Sequence, residues 1–201
     1  MTDAKEREDY TQSQERLLQA TLEVVDEVGI ERATTRLIAG RAGVNIQLIQ
    51  YYFGGKDAML EEAQRYVIEK FFGLVGPKIS EANTLAEALR AGIEHTWALA
   101  QSHPEIVQPD LLLQTVRAAR GEQVRHGERH TQDRVGELLG AKMAETGETT
   151  RVPMDLFALL VTAGLSGLVL EYRARGETER VGAAVDTLTE LLLSLVEPAP
   201  A

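Results

Sequence analysis

Apolar residues recur along this chain at spacings of three and four, the period of an α-helix with one covered face. Leu17, Leu18, Leu22, Val25 and Val28 form the first stripe, over 12–28, and Gly29 directly after it is a stop signal. A short helix is predicted over 35–41, with Thr34 placed so that its hydroxyl can accept from a free N–H of the first turn. Gly43 marks a tight turn, Asn45 is the expected cap of a third helix over 45–52, and Gly54-Gly55 breaks the chain again. Leu60, Ala63, Val67 and Phe71 carry a longer helix, 56–74, which Gly76-Pro77 should end. Further helices are predicted at 84–101, 104–119, 121–145, 153–175 and 177–196. Pro104 and Pro153 suit first turns, and Pro109 should kink or split its segment. No alternating run of convincing length argues for a strand, so the expected fold is all-α.

Residues 34–53 make a distinctive pair of short helices joined at Gly43. Ile38, Ala39, Ala42, Val44, Ile49 and Phe53 fall where such a pair must pack, and the two alanines are small enough for a close crossing. This is the helix-turn-helix arrangement, whose second helix enters the major groove of DNA. The face of that helix opposite Ile49 and Phe53 presents Ile46, Gln47, Gln50, Tyr51 and Gly54. Amides pair two-point with an adenine edge, apolar side chains touch thymine methyls, and Tyr hydroxyls donate to phosphate oxygens. Plain packing is the alternative for Tyr51 and Tyr52, and Leu48 fits either core or a thymine methyl.

Charge sharpens this reading. The 201 residues hold 21 basic and 31 acidic side chains, net −10. Yet Arg32, Arg36, Arg41 and Lys56 share the window 32–56 with no acid at all, leaving 17 basic against 31 acidic residues elsewhere, a balance of −14. A polyanion would meet this window and be repelled by the rest, although Arg32 and Arg41 read better as solvated. There is no Cys, hence no disulfide framework, thiolate metal site or Cys nucleophile. The N-terminal MTDAKEREDYTQSQE lacks an apolar h-region, which argues against a signal peptide. No run reaches the roughly 18 uninterrupted apolar residues of a spanning helix; no membrane partner is expected, and a cytoplasmic location fits.

The order Thr34, Ile38-Ala39, Ala42-Gly43-Val44, Asn45, Phe53, Lys56-Asp57, without insertion, resembles the TetR family of transcriptional regulators. The preceding helix and Gly29 match as well. The resemblance covers the N-terminal part; the remainder is similar only in length and helical character. The chain departs from the family at Gln47 and Gln50, where a small residue and a Tyr are common, so the target sequence cannot be borrowed from relatives. The resemblance implies that Thr35 meets phosphate, that Arg36 reaches phosphate or guanine, that Gln47, Gln50 and Tyr51 face bases, and that Tyr52 and Lys56 hold phosphates.

It further implies a pseudo-palindromic double-stranded operator, a homodimer and a small-molecule effector, with no cofactor and no enzymatic activity. The expected division is a disordered tail 1–11, a DNA-binding domain 12–55, a connecting helix 56–74, a ligand-binding and dimerisation domain 75–196, and a fraying tail 197–201. The last two helices are apolar on more than one face, so a partner subunit is the natural cover; Leu156, Leu160, Ala163, Gly167, Leu188, Leu191, Leu192 and Leu195 are the expected interface. His95, Trp97, Leu112, Met143 and Phe157 are the expected lining of an effector cavity within the 84–175 helices. The rival function is a ligand-binding or interaction module that no longer binds DNA. Two further motifs fail. His126 and His130 have a metal spacing, but Gly127 stands where a zincin needs Glu, and Gly164-Leu165-Ser166-Gly167 fits neither a phosphate loop nor a nucleophile elbow.

Overall fold

Thr11 starts the first helix. In this computed structural model, which describes residues 10–107 and 130–199, Thr11 and Gln14 form a reciprocal capping box that satisfies two donors of the opening turn. Thr11 and Tyr10 therefore belong to the folded chain and not to a disordered tail; residues 1–9 of that expected tail lie outside the described residues. α1 (Gln12–Val28) buries Leu17, Leu18 and Val24 completely, each contributing about 1.5–3 kcal/mol of apolar burial. Gly29, at φ 79°, ends it. α2 (Thr35–Ala42) is capped by Thr34, whose Oγ1 accepts from Leu37 N–H at 3.2 Å, and it buries Ile38, Ala39 and Ala42 against α1. α3 (Gln47–Phe53) follows; Asn45 Oδ1 accepts from Gln47 N–H at 2.9 Å, so Asn45 caps the helix from just outside its first turn. α4 is Lys56–Ser80.

The chain divides into two units between Tyr66 and Val67. In the second, α5 (Leu85–Ser102), α6 (His130–Thr146), α7 (Met154–Arg175) and α8 (Thr178–Leu193) pack with the later turns of α4. Phe157, Leu85, Leu89, Ile93 and Leu139 are its most deeply buried side chains. Residues 104–107 are helical; the expected break at Pro109 lies outside the described residues.

Two further expectations need correction. α4 does not stop at Gly76-Pro77 but runs through Pro77 to Ser80. An interior Pro costs about 3 kcal/mol, and here Val75 and Ile79, buried on either side of it, hold the last turns against α5. Gly92 makes the close approach possible, because a Cβ there would stand 3.2 Å from Ile79 Cδ1. At the other end of the chain, Glu197 does not fray, and Val196, expected to end the 177–196 helix, lies beyond its last residue Leu193; both pair antiparallel with Thr149–Thr150 (β2, Val196–Glu197, with β1, Thr149–Thr150). α7 is long and apolar enough by length and composition to cross a membrane, a test that the core helix of a soluble protein also passes. Asp155, Thr162, Ser166 and Glu171 interrupt its apolar run. One side of α7, Phe157, Val161, Leu165 and Val169, is committed to the protein core.

Candidate nucleic-acid interface and ligand cavity

The turn between α2 and α3 depends on Gly43. Its φ of 63° is left-handed, a conformation that disfavours any residue with a Cβ, and a Cβ there would also meet Arg16 Nη2 at 2.8 Å. Val44 N–H then closes back on Ala39 O at 3.1 Å. α3 is anchored by Ile49, its one buried residue, with Leu48, Tyr52 and Phe53 half-buried beside it. At 100° per residue the opposite side carries Gln47, Gln50 and Tyr51. All three are exposed, Tyr51 at 79%. Tyr51 and Tyr52 meet edge to face, ring centroids 5.0 Å apart, which limits the freedom of an otherwise exposed phenol.

The basic residues flanking α3 are less free than their number suggests. Arg41 pairs with Glu27 and lies 3.5 Å from Glu23; the hydrogen bond to Glu27 and its charge hold the guanidinium pKa above its ordinary value. Arg41 is thus tied to α1 and not merely solvated. Arg32 Nε donates to Val28 O at 2.8 Å. Lys56 Nζ donates to Ile30 O at 3.0 Å, clasping the turn after α1. Arg36, in the first turn of α2, is exposed and has no polar partner among the described residues. Thr35 beside it is half-buried. The same unit contains a cluster that sequence reasoning missed. Tyr10 donates to Glu62, which also pairs with Arg65. Burial, reinforced by the Glu62 carboxylate, pushes the phenol up to about 12.

The second unit holds a partly open cavity of about 90 Å³. None of the described residues expected to line it does so; Leu112 lies outside the described residues. On α5 the wall is Ala88, Leu89, Gly92, Ile93 and Thr96. His95 and Trp97 flank Thr96 and point about 100° to either side, Trp97 edge-on against Tyr172 at 5.1 Å. Phe157 is fully buried in the core behind, and Met143 packs against that core one turn beyond the lining residue Leu139. α4 contributes as many residues as α5 does: Ile68, Phe71, Phe72, Val75 and Ile79. Ile68, Phe71 and Phe72 fall inside the predicted 56–74 helix, whereas Val75 and Ile79 join the wall only because α4 continues to Ser80.

Leu156, Leu160, Ala163 and Gly167 fall at spacings of four, three and four along α7 and are all exposed, Leu160 at 47%. Leu159 and Leu170 extend this apolar surface. Leu191 on α8 is 62% exposed. Leu192 is a correction: at 3% exposure it belongs to the Val181, Val185, Thr189 core stripe of α8 and has no surface left for a partner. Leu188 and Leu195 are half-buried against the same core, Leu188 beside Gly164.

Residues 17–63 match the family model described as bacterial regulatory proteins, tetR family. A 52-residue stretch is 54% identical to the HTH-type transcriptional regulator BetI 1 of Chromohalobacter salexigens, covering 26% of each chain. A 65-residue stretch is 37% identical to BetI of Vibrio campbellii, covering 32% of this chain and 33% of that one. The chain therefore matches a quarter to a third of the length of these curated relatives. Among solved structures, a transcriptional regulator from Rhodococcus sp. Rha1 superposes with TM-score 0.73 at 27% identity, over 94% of this chain and 100% of that one. The fatty acid degradation regulator FadR from Bacillus halodurans shares the fold, with TM-score 0.72 at 20% identity, over 92% and 97%.

Proposed function

We propose that this chain, whose residues 17–63 match the TetR family model and whose fold matches solved regulators, is a bacterial transcriptional regulator of the TetR family, that it binds a pseudo-palindromic operator as a homodimer, and that it leaves it when a small molecule occupies the cavity of the second unit. The observation that carries the DNA reading is the outward face of α3. Gln47, Gln50 and Tyr51 stand exposed on a helix anchored from behind by Ile49, with no acidic residue between Arg32 and Lys56. Side-chain amides read adenine edges, and phosphate contacts from Thr35, Arg36, Tyr52 and Lys56 fix the register. Two copies are supported by the leucine face of α7: an apolar surface of this extent on a helix whose other side is already core calls for a cover. α7 and α8 of two subunits would build a four-helix bundle and set the half-sites apart.

Release is a population shift, in which the effector binds the DNA-incompetent arrangement more tightly than the competent one. α4 contributes Lys56 to the DNA-binding unit and Ile68 to Ile79 to the cavity wall, which makes it the element through which the effector acts. Partnership with DNA implies a cytoplasmic location. The test is selection of bound duplexes from a random pool, followed by titration of the selected and scrambled sequences at several salt concentrations. A dimer that prefers a palindromic site supports the reading. Equal affinity for selected and scrambled DNA would leave only a ligand-binding module.

A further inference from the structure

The cavity of the second unit has a chemical bias that its occupant must match. Its described wall contains no Asp, Glu, Lys, Arg or His. Four residues carry hydroxyls: Thr96, Thr131, Thr162 and Ser166. A hydroxyl has one proton to donate, and two of these are already committed. Thr96 Oγ1 donates to Gly92 O and Thr162 Oγ1 to Ala158 O, both at 2.8 Å. Thr131 is engaged as well. Among the described wall residues, Ser166 is left as the available hydroxyl donor. A carboxylate or phosphate needs several donors when it leaves water; the described wall offers one. A cationic ligand fares no better. Phe71 and Phe72 are the wall's aromatic rings, and the Arg134 guanidinium carbon lies 5.7 Å from the Phe72 centroid. A second cation at that ring would meet the first charge.

We propose that the effector is an uncharged, hydrocarbon-rich molecule with at most one hydroxyl- or carbonyl-type group, held through Ser166, and that carboxylates and ammonium compounds of the same chain length are rejected. The proposal rests on the reading of this cavity as the effector site. The test uses the full chain and three matched probes in calorimetry: 1-octanol, octanoate and octyltrimethylammonium. Octanol should bind, and at about pH 8 both charged probes should bind at least roughly tenfold more weakly. Octanoate should gain affinity as the pH is lowered toward the ordinary carboxyl range near 4–5, because only its neutral form fits. Val135→Phe and Ser166→Leu both fill the cavity, and whichever is folded by circular dichroism should lose octanol binding. A charged probe that equals or exceeds octanol, or octanol binding that survives in a folded filled variant, overturns the proposal, as does the failure of octanol to bind. DNA binding by the ligand-free protein is scored separately. If it is absent while octanol is preferred, the operator reading falls and the cavity chemistry stands; if it is present while octanoate is preferred, this proposal alone falls.

Discussion

Lys56 has two tasks in the reading above, and a single pair of substitutions separates them. Its Nζ donates to Ile30 O at 3.0 Å, so Lys56→Ala removes a charge-assisted hydrogen bond at a half-buried position. Such bonds contribute roughly 1.5–3 kcal/mol when desolvated, and partial exposure brings this to about 1 kcal/mol. For a chain of this size that lowers the melting temperature by about 2–4 °C. The DNA effect is distinct. A lysine on phosphate contributes about 0.9 to the salt slope on B-DNA, so a dimer losing two should show a slope shallower by about 1.8. Between about 50 and 200 mM salt the wild type would then lose roughly tenfold more affinity than the variant does. The loss should be alike on cognate and scrambled duplexes. Gln50→Ala is the counterpart. Its side chain is exposed, so stability should hold; the salt slope should also hold, while the cognate site loses roughly 1–3 kcal/mol at one base pair per half-site. The assay is a fluorescence-anisotropy titration of both variants on both duplexes over the salt series, with melts alongside. If Lys56→Ala melts lower but keeps the wild-type slope, the lysine is only a clasp for the turn after α1 and the phosphate assignment is wrong. If Gln50→Ala weakens both duplexes equally, the face of α3 assigned to bases is wrong.

Leu160→Glu, or Gly167→Glu, places a carboxylate on the exposed leucine face of α7; both should give folded monomers or aggregates by light scattering, and a wild type with the mass of one 22.1 kDa chain at micromolar concentration contradicts the dimer. Gly43→Ala forces a Cβ into the left-handed region against Arg16, and should cost about 1–2 kcal/mol in chemical denaturation while abolishing operator binding, since it reorients α3. Tyr10→Phe removes the hydrogen bond to Glu62 and should cost about 0.5–1.5 kcal/mol near neutral pH. The folded phenol, raised to about 12, stays protonated where the unfolded one ionises. Its stabilisation is therefore complete below about pH 10 and fades toward 12, so urea melts of wild type and Tyr10→Phe should converge across that window; a constant gap contradicts the assigned shift.

The helix-turn-helix could be read from the chain because its determinants are local. Thr34 and Asn45 cap the helices that follow them, Gly43 supplies the left-handed turn, and Ile38, Ala39, Ala42 and Ile49 occupy positions that a short helix pair has no other way to bury. The outward placement of Gln47, Gln50 and Tyr51 then follows from a period of 3.6. The same periodicity located α5, α7 and α8 to within a few residues. Tertiary structure decided what period alone leaves open. α7 is apolar on both sides, and only packing shows that Phe157, Val161 and Leu165 face inward while Leu156 and Leu160 face out. Leu191 and Leu192 are equally apolar neighbours; the core takes one and leaves the other exposed. Pro77 is a breaker by its own chemistry, but Val75 and Ile79 gain enough burial against α5 to carry the helix past it. Lys56 and Arg41 reach carbonyl and carboxylate partners far away in sequence, which no local pattern encodes. The cavity follows the same logic. Its walls come from α4, α5, α6 and α7 together, and a void is a property of how elements fail to fill space between them, so no single stretch of sequence carries it.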